Sequence, residues 1–112
     1  MAQQSKSKPL LPVLKEKKRY LVYRLHGQVP RNAGNLLANE LERLLGVVEG
    51  AEAGILPITY DATRQTGVLR ASLAKVKRVR LAMLLVTGLG NTGTVVEPAL
   101  TTGILEKAKQ AM

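Results

Sequence analysis

The sequence lacks several residue types on which enzymatic and structural sites depend. Its 112 residues include no cysteine, phenylalanine or tryptophan and a single histidine, His26. Without cysteine the chain forms no disulfide, thiolate metal site or cysteine nucleophile, and one histidine cannot supply a metal-binding cluster. His26 ends a strand-like segment and Asp61 lies in a turn-like one, and neither has a partner for a catalytic constellation. We expect no catalytic residue, no metal site and no cofactor bound by this chain.

Long apolar runs are also missing. No segment approaches the ~20 apolar residues that span a bilayer. Residues 1–9 are polar and basic, unlike the apolar stretch of a secretory signal. These absences, with the lack of cysteine, predict a soluble cytoplasmic protein that does not bind through a membrane anchor.

Acidic residues are few, and this is the strongest functional signal in the composition. Seventeen Lys and Arg oppose eight Asp and Glu, which gives a formal net charge of +9. A positive field of this strength favours a polyanionic partner, with nucleic acid the first candidate and an anionic membrane surface the second. The hydrophobic fraction of 46% is sufficient for a folded core.

The charge is distributed unevenly along the chain. Residues 1–31 hold eight Lys and Arg against one Glu, and residues 61–112 hold eight against three acids. Residues 32–60 hold one Arg against four Glu. This asymmetry predicts a basic face for RNA and a neutral or acidic face for a protein partner.

Periodicity and turn residues predict a simple order of elements. Residues 1–12 are predicted to be a flexible basic tail, and residues 13–112 a single domain. The predicted elements are a strand over 19–26, a helix from Ala33 to a stop at Gly46, a loop over 46–54, strands over 55–60 and 67–72, a helix over 75–89, a loop over 88–93, a strand over 94–101 and a short helix over 104–111. Pro57 and Pro98 predict edge strands, or a bulge for the latter.

This order predicts an α+β, ferredoxin-like fold. A strand, helix, strand, strand, helix, strand sequence is the split βαβ pattern, an antiparallel sheet with helices on one face, here followed by a short C-terminal helix. In the first strand, Leu21, Tyr23 and Leu25 share the more apolar face and are expected to meet the helices.

Two groups of basic residues are the candidate RNA-binding sites. They recur at spacings that place several cations side by side, where they can meet successive phosphates and release counterions. The first group is Lys15, Lys17, Lys18, Arg19 and Arg24; the second is Arg70, Lys75, Lys77, Arg78 and Arg80.

Two other functions of this fold fit the residues less well. RNA-recognition motifs stack bases on sheet aromatics, but the third strand has none, which favours recognition of RNA backbone and shape. Acylphosphatases place an arginine in a glycine-bearing phosphate loop after the first strand, and the segment from Gly27 to Asn32 has Arg31 without that loop pattern. The glycines of Gly88–Gly93 follow a helix, the reverse of a dinucleotide-binding loop.

Three segments resemble one known family. They are Leu14–Tyr20, entering the first strand; Gly67–Arg70 with the later Ala82–Val86; and Thr102–Ile104 with Lys107–Lys109. Over residues 13–110, their order and spacing are similar to ribonuclease P protein component two, the small ferredoxin-like subunit of the archaeal and eukaryotic enzyme. At the last corner, Thr-Gly-Ile-Leu stands where the family usually has Ser-Gly-Thr-Ile.

The resemblance implies a specific role. Ribonuclease P removes the 5′ leader from precursor tRNA, and a catalytic RNA with bound Mg²⁺ performs the hydrolysis. This chain would be a non-catalytic subunit that binds the ribonuclease P RNA, meets precursor tRNA indirectly and pairs with the TIM-barrel-like protein component three, in the cytoplasm or, in a eukaryote, the nucleolus. The segment from Val47 to Ile58 is the expected contact for component three. A ribosomal-type RNA-binding protein and an interaction-only protein remain alternatives from the residues alone.

Overall fold

The computed structural model describes residues 17–112, so the tail predicted over 1–12 lies outside the described residues. The elements within this range are β1 (Lys18–His26), α1 (Ala33–Ala53), β2 (Leu56–Asp61), β3 (Thr66–Ser72), α2 (Val76–Leu85), β4 (Gly88–Leu89), β5 (Thr92–Gly93), β6 (Val95–Thr102) and α3 (Leu105–Gln110). β1, β2, β3 and β6 form one antiparallel sheet in the order β2-β3-β1-β6. This confirms the predicted ferredoxin-like fold.

β1 lies in the middle of the sheet and is buried on both faces. Leu21, Tyr23 and Leu25 pack into the main core with residues of α1 and α2, as their alternation predicted. Val22 points to the other face, and it is also fully buried. A strand flanked by two neighbours and covered on both faces is the most constrained part of this sheet.

α1 continues past the predicted stop at Gly46. Gly46 has φ 86° and ψ 175°, a conformation that interrupts the helix, but the chain resumes helical geometry and ends at Ala53. The predicted loop over 46–54 was therefore wrong. Gly50 and Ala53 are buried in this second segment, and tertiary packing of these small residues outweighs their local loop-like composition. Gly54, with φ 57°, closes the helix by donating its N–H to the Gly50 carbonyl at 3.2 Å.

α2 ends four residues before the predicted position. It stops at Leu85, and Val86 is extended with ψ 126°. Residues predicted as the helix end and the following loop instead form the β4–β5 hairpin, which turns at Gly90 with φ 63°. Val86 and Leu89 are buried in the core. The hydrophobic spacing therefore predicts their burial correctly, but it predicts a helical conformation that they do not have.

Both edge-strand predictions are confirmed. β2 and β6 are the outer strands of the sheet, and each carries its proline. The pairing register shifts between Pro57 and Thr59 in β2 and opposite Pro98 in β6. Each proline therefore lies in an edge strand at a register shift, where the missing N–H donor removes no regular ladder hydrogen bond.

α3 packs on the sheet face opposite α1 and α2. Ala108 is fully buried against Val22 and Val68 in a small second core. The helix starts where the Thr102 hydroxyl accepts the Ile104 N–H at 3.2 Å. At its far end the Arg64 guanidinium donates to the Met112 carbonyl at 2.8 Å. α3 therefore crosses the sheet and covers the middle of the face on which an RNA-recognition motif would stack bases.

Gly67 is required where β2 and β3 approach the Tyr23 ring. A Cβ at this position would overlap the Tyr23 hydroxyl and lie 2.9 Å from the Thr59 carbonyl. We expect Gly67→Ala to lower the free energy of unfolding in urea by about 1–3 kcal/mol, the usual cost of overpacking. Gly93→Ala is the control, because a Cβ there meets nothing within 4 Å. Equal stability of the two variants would contradict the close approach.

The buried Tyr23 hydroxyl should make the fold sensitive to alkaline pH. Burial, with a smaller contribution from Tyr60, raises the pKa of Tyr23 above its ordinary value. Because the unfolded chain loses this proton near pH 10 and the folded chain keeps it, the stability due to this group is present below pH 10 and declines above it, by about 1.4 kcal/mol per pH unit. Urea denaturation between pH 8 and about 11 should show a shallower decline for Tyr23→Phe than for wild type. Lysine titration is common to both proteins, so parallel curves would contradict this assignment.

Candidate RNA-binding surface

The fold brings the two basic segments together at one end of the sheet. Lys18 at the start of β1 pairs with Ser72 at the end of β3. The Leu73 N–H then donates to the Lys17 carbonyl at 2.9 Å, and a 3₁₀ turn over Leu73–Lys75 leads into α2. We call this region the basic end; its described cations are Lys17, Lys18, Arg19, Arg70, Lys75, Lys77, Arg78 and Arg80. Lys15 lies outside the described residues.

The cations at the start of β1 are held to different degrees. Lys17 is exposed, whereas Lys18 and Arg19 are half-buried. Arg19 donates to the Lys18 carbonyl at 2.9 Å, and its guanidinium lies against Gly103, where a Cβ would be 3.2 Å from Nη1. These contacts fix the position of the Arg19 guanidinium at the corner where β6 turns into α3.

Acidic side chains of α1 pair with part of α2. The Lys75 ammonium lies 3.0 Å from a Glu52 carboxylate oxygen and 3.5 Å from one of Glu49. Arg78 Nε lies 3.4 Å from the same Glu49 oxygen. The hydrogen bond to Glu52, together with that to Glu49, raises the pKa of Lys75 despite some desolvation. These pairs lower the positive potential of Lys75 and Arg78 toward a phosphate.

The acidic and basic segments are therefore not separated onto two faces. The uneven charge distribution predicted a basic face and a neutral or acidic face, but Glu49 and Glu52 meet the second basic group directly. The extension of α1 to Ala53 is the physical reason, because it carries both glutamates past the start of α2.

Lys77 and Arg80 are the cations of α2 most available to a phosphate. Both are exposed, and neither forms an ion pair with any residue of 17–112. They are three residues apart and so neighbours on the helix surface. With Leu81 and Leu84 they line a shallow groove on the outer face of α2.

Arg24 and Arg70 lie on the sheet face that carries α3. Arg24 is exposed and faces Glu97 across the β1–β6 pair, roughly 13 Å along the strand from Tyr20, so it is not part of the basic end. Arg70 pairs with Tyr20 across β3 and β1, at the basic end. The buried Nε of Arg70 has no hydrogen-bond partner.

Other polar side chains have local roles. His26 Nε2 lies 2.8 Å from Glu97 Oε1, and both residues are exposed. Asp61 accepts the Thr63 and Arg64 backbone N–H groups at 3.0 and 3.3 Å and so stabilises the turn between β2 and β3. Within residues 17–112, no three His, Asp or Glu side chains come together as metal ligands. No helix in this range is long and apolar enough to cross a membrane.

An apolar surface on the helix layer includes Val47 and Val48 of the predicted partner contact and adds three leucines of α2 that the sequence did not single out. Val47 is 91% exposed and Val48 71%, and on α2 Leu81, Leu84 and Leu85 are between 52% and 65% exposed. We call these five residues the helix-layer patch. The signal was present in α2, because these leucines lie off the stripe that places Val76, Val79 and Met83 in the core. The rest of the predicted contact from Val47 to Ile58 differs, since Ala53 and Ile55 are buried.

The chain is similar to several archaeal ribonuclease P proteins along almost its whole length. It is 30% identical over 108 residues to ribonuclease P protein component 2 of Thermococcus gammatolerans, covering 94% of this chain and 90% of that protein. It is 29% identical over 106 residues to the Methanosarcina barkeri protein of the same name, covering 92% and 77% respectively. The component 2 protein of Pyrococcus furiosus is 26% identical over 106 residues, covering 92% and 88%.

The family profile matches the part of the chain that forms the fold. The profile of the Rpp14/Pop5 family covers residues 19–112, from the start of β1 through α3. It includes both strands and the helix that build the basic end, apart from Lys17 and Lys18. The chain therefore belongs to the Rpp14/Pop5 family of ribonuclease P protein subunits, which serve tRNA processing.

Proposed function

We propose that this chain is a non-catalytic subunit that binds ribonuclease P RNA and supports it in removing 5′ leaders from precursor tRNA. The observation that carries the proposal is the basic end. Two basic segments far apart in sequence meet there through the Leu73–Lys17 hydrogen bond. Of the cations there, Lys77 and Arg80 are exposed and form no ion pair with the described residues. Positive groups at this spacing offset the repulsion between phosphates of a folded RNA.

The chemistry of hydrolysis belongs to the RNA in this proposal. The RNA with its bound Mg²⁺ would perform the hydrolysis, and the lysines and arginines of this chain lower the Mg²⁺ concentration at which the RNA adopts its compact form. The contribution of this chain is therefore electrostatic and sequence-independent. Its place of action is the compartment of tRNA maturation, the cytoplasm in an archaeon or the nucleolus in a eukaryote.

The helix-layer patch provides a second surface for a protein partner. Five exposed aliphatic side chains lie on α1 and α2, and RNA backbone offers no apolar surface to cover them. Charged residues adjoin them: Glu42 and Arg43 line a groove with Val47, and Lys77 and Arg80 line another with Leu81 and Leu84. An apolar centre with a charged rim is the usual arrangement of a protein interface, and component three is the partner we assign to it.

Pairs of α2 cations offer a charge-matched test of the RNA-binding proposal. Lys77→Gln/Arg80→Gln and Lys75→Gln/Arg78→Gln remove the same charge, but only the second pair is bound to Glu49 and Glu52. We expect the first variant to bind ribonuclease P RNA several-fold more weakly, with the slope of log affinity against log salt reduced by about two. The second variant should be affected less.

The same proteins should differ in precursor-tRNA cleavage. Reconstitution with component three and ribonuclease P RNA over a Mg²⁺ titration should show that wild type lowers the Mg²⁺ requirement and that Lys77→Gln/Arg80→Gln lowers it less. If wild type has no effect with competent partners, the ribonuclease P role fails. Binding to ribosomal RNA in its place would then favour a ribosomal-type protein.

The helix-layer patch is tested by removing two of its leucines. Leu81→Ser/Leu84→Ser should weaken binding to component three by about tenfold or more in calorimetric titration, as expected for residues at an interface centre. Val95→Ser/Ile104→Ser is the control, because these aliphatic residues are 63% and 53% exposed away from the patch. Equal affinities of both variants and wild type would exclude this surface.

A further inference from the structure

Four residues form a row across the sheet at the basic end. The pairing register aligns Leu56 of β2, Arg70 of β3, Tyr20 of β1 and Thr102 of β6. Cross-strand partners point to the same face, and Val22 and Val68, two residues further along β1 and two back along β3, belong to the small core under α3. The row therefore lies on the α3 face of the sheet, next to the part that the helix covers.

Arg70 is an unpaired cation in a largely apolar setting. Its Nε is buried without a hydrogen-bond partner, and it forms no ion pair with any residue of 17–112. Its neighbours in the row, Leu56, Tyr20 and, one strand further, Thr102, carry no acidic group. A buried donor left unsatisfied costs roughly 1–3 kcal/mol, so an acceptor from a bound molecule would recover that cost.

Tyr20 lies directly beside this cation and is half-buried. Its ring packs against Val22, Val68 and Ala108 on the side of the small core. An aromatic ring fixed in this way loses little side-chain entropy when a second planar group stacks on it. A guanidinium for a phosphate next to a ring for a base is the minimum set that recognises one nucleotide.

We propose that Arg70 and Tyr20 form a binding site for one unpaired nucleotide of RNA, in which the Arg70 guanidinium donates to a phosphate and the Tyr20 ring stacks on the base. The proposal rests on the RNA-binding function above and adds a single-stranded contact to it. α3 covers the middle of the sheet, so the proposed site takes one nucleotide rather than the row of bases that an open sheet binds. The site joins the basic end, whose cations hold the flanking backbone.

The test uses wild type and three variants with two RNA probes, a labelled oligouridine of about eight nucleotides and a duplex of about sixteen base pairs. Tyr20→Leu keeps an apolar side chain for packing and removes the ring, and Arg70→Gln removes the charge. Arg31→Gln is the matched control, an exposed arginine at the start of α1, at the opposite end of the sheet. Tyr20→Leu should weaken oligouridine binding by about tenfold and change duplex binding less than about twofold. Arg70→Gln should weaken oligouridine binding by about tenfold and duplex binding by a smaller factor, because it also removes one cation of the basic end. Arg31→Gln should bind both probes as wild type does.

A tryptophan reporter separates stacking from a structural role. The chain has no tryptophan, so Tyr20→Trp introduces a single fluorophore at the site. Its emission should be quenched on binding oligouridine, and Arg70→Gln in the same background should shift the quenching midpoint to about tenfold higher RNA concentration. Urea denaturation shows whether each variant is folded. If Arg70→Gln is unstable, Arg70→Lys takes its place. This variant keeps the charge but loses the planar guanidinium, and it should bind with intermediate affinity.

The outcomes distinguish the two proposals. If wild type binds ribonuclease P RNA with the dependence on Lys77 and Arg80 described above, but Arg70→Gln and Tyr20→Leu bind oligouridine as wild type does, the nucleotide site is wrong and the proposed function stands. The same holds if wild type does not bind oligouridine, or if both variants lose duplex and single-strand binding equally. If wild type binds neither ribonuclease P RNA nor oligouridine, the proposed function itself fails.

Discussion

The central position of β1 is the constraint on which the other surfaces of this molecule depend. β1 pairs with β3 on one side and β6 on the other, and it is buried on both faces. Its register with β3 places Lys18 beside Ser72 and Tyr20 beside Arg70. A shift by one residue would exchange the two faces of the strand and move both Tyr20 and the main-core residues out of position. The many buried contacts of Leu21, Val22 and Tyr23 make such a shift costly, so the basic end has a fixed geometry.

Ion pairing decides which cations of a basic segment are available to RNA. Four cations within residues 75–80, at and just before the start of α2, look equivalent in sequence, yet Lys75 and Arg78 face glutamates and Lys77 and Arg80 face solvent. Exposed ion pairs contribute little stability. Their larger effect here is on the local potential, which they lower on the side of α2 that faces α1. The side of α2 that faces α1 therefore carries the paired cations, and the side that faces solvent carries the cations suited to phosphate.

The two faces of the sheet have different roles because different helices cover them. α1 and α2 cover one face and form the main core with it. α3 covers the other face only in its middle, with Ala108 as its one fully buried residue. Such partial cover leaves the row with Arg70 and Tyr20 at one end and His26 with Glu97 at the other. The fold is thus shared with proteins that bind RNA across an open sheet, while the surface available on this one is confined to its ends.

The sequence by itself determined the order of the three helices and the four strands of the main sheet, the edge positions of β2 and β6, the core face of β1 and the basic character of the chain. Each of these follows from local information: alternation in a strand, proline in a ladder, a turn at Asp61, or the count of charges. The resemblance to ribonuclease P component two also required only the order and spacing of short segments.

What the sequence did not determine was where α1 and α2 end. Gly46 has the composition of a helix stop, but burial of Gly50 and Ala53 stabilises a further segment, and Leu89 is buried in a hairpin rather than a helix. Only the tertiary structure decided that Lys75 and Arg78 are paired, that Lys77 and Arg80 are not, and that Arg70 lies unpaired beside Tyr20. These facts depend on contacts between residues far apart in the chain, and no local pattern records which distant side chain a cation will meet.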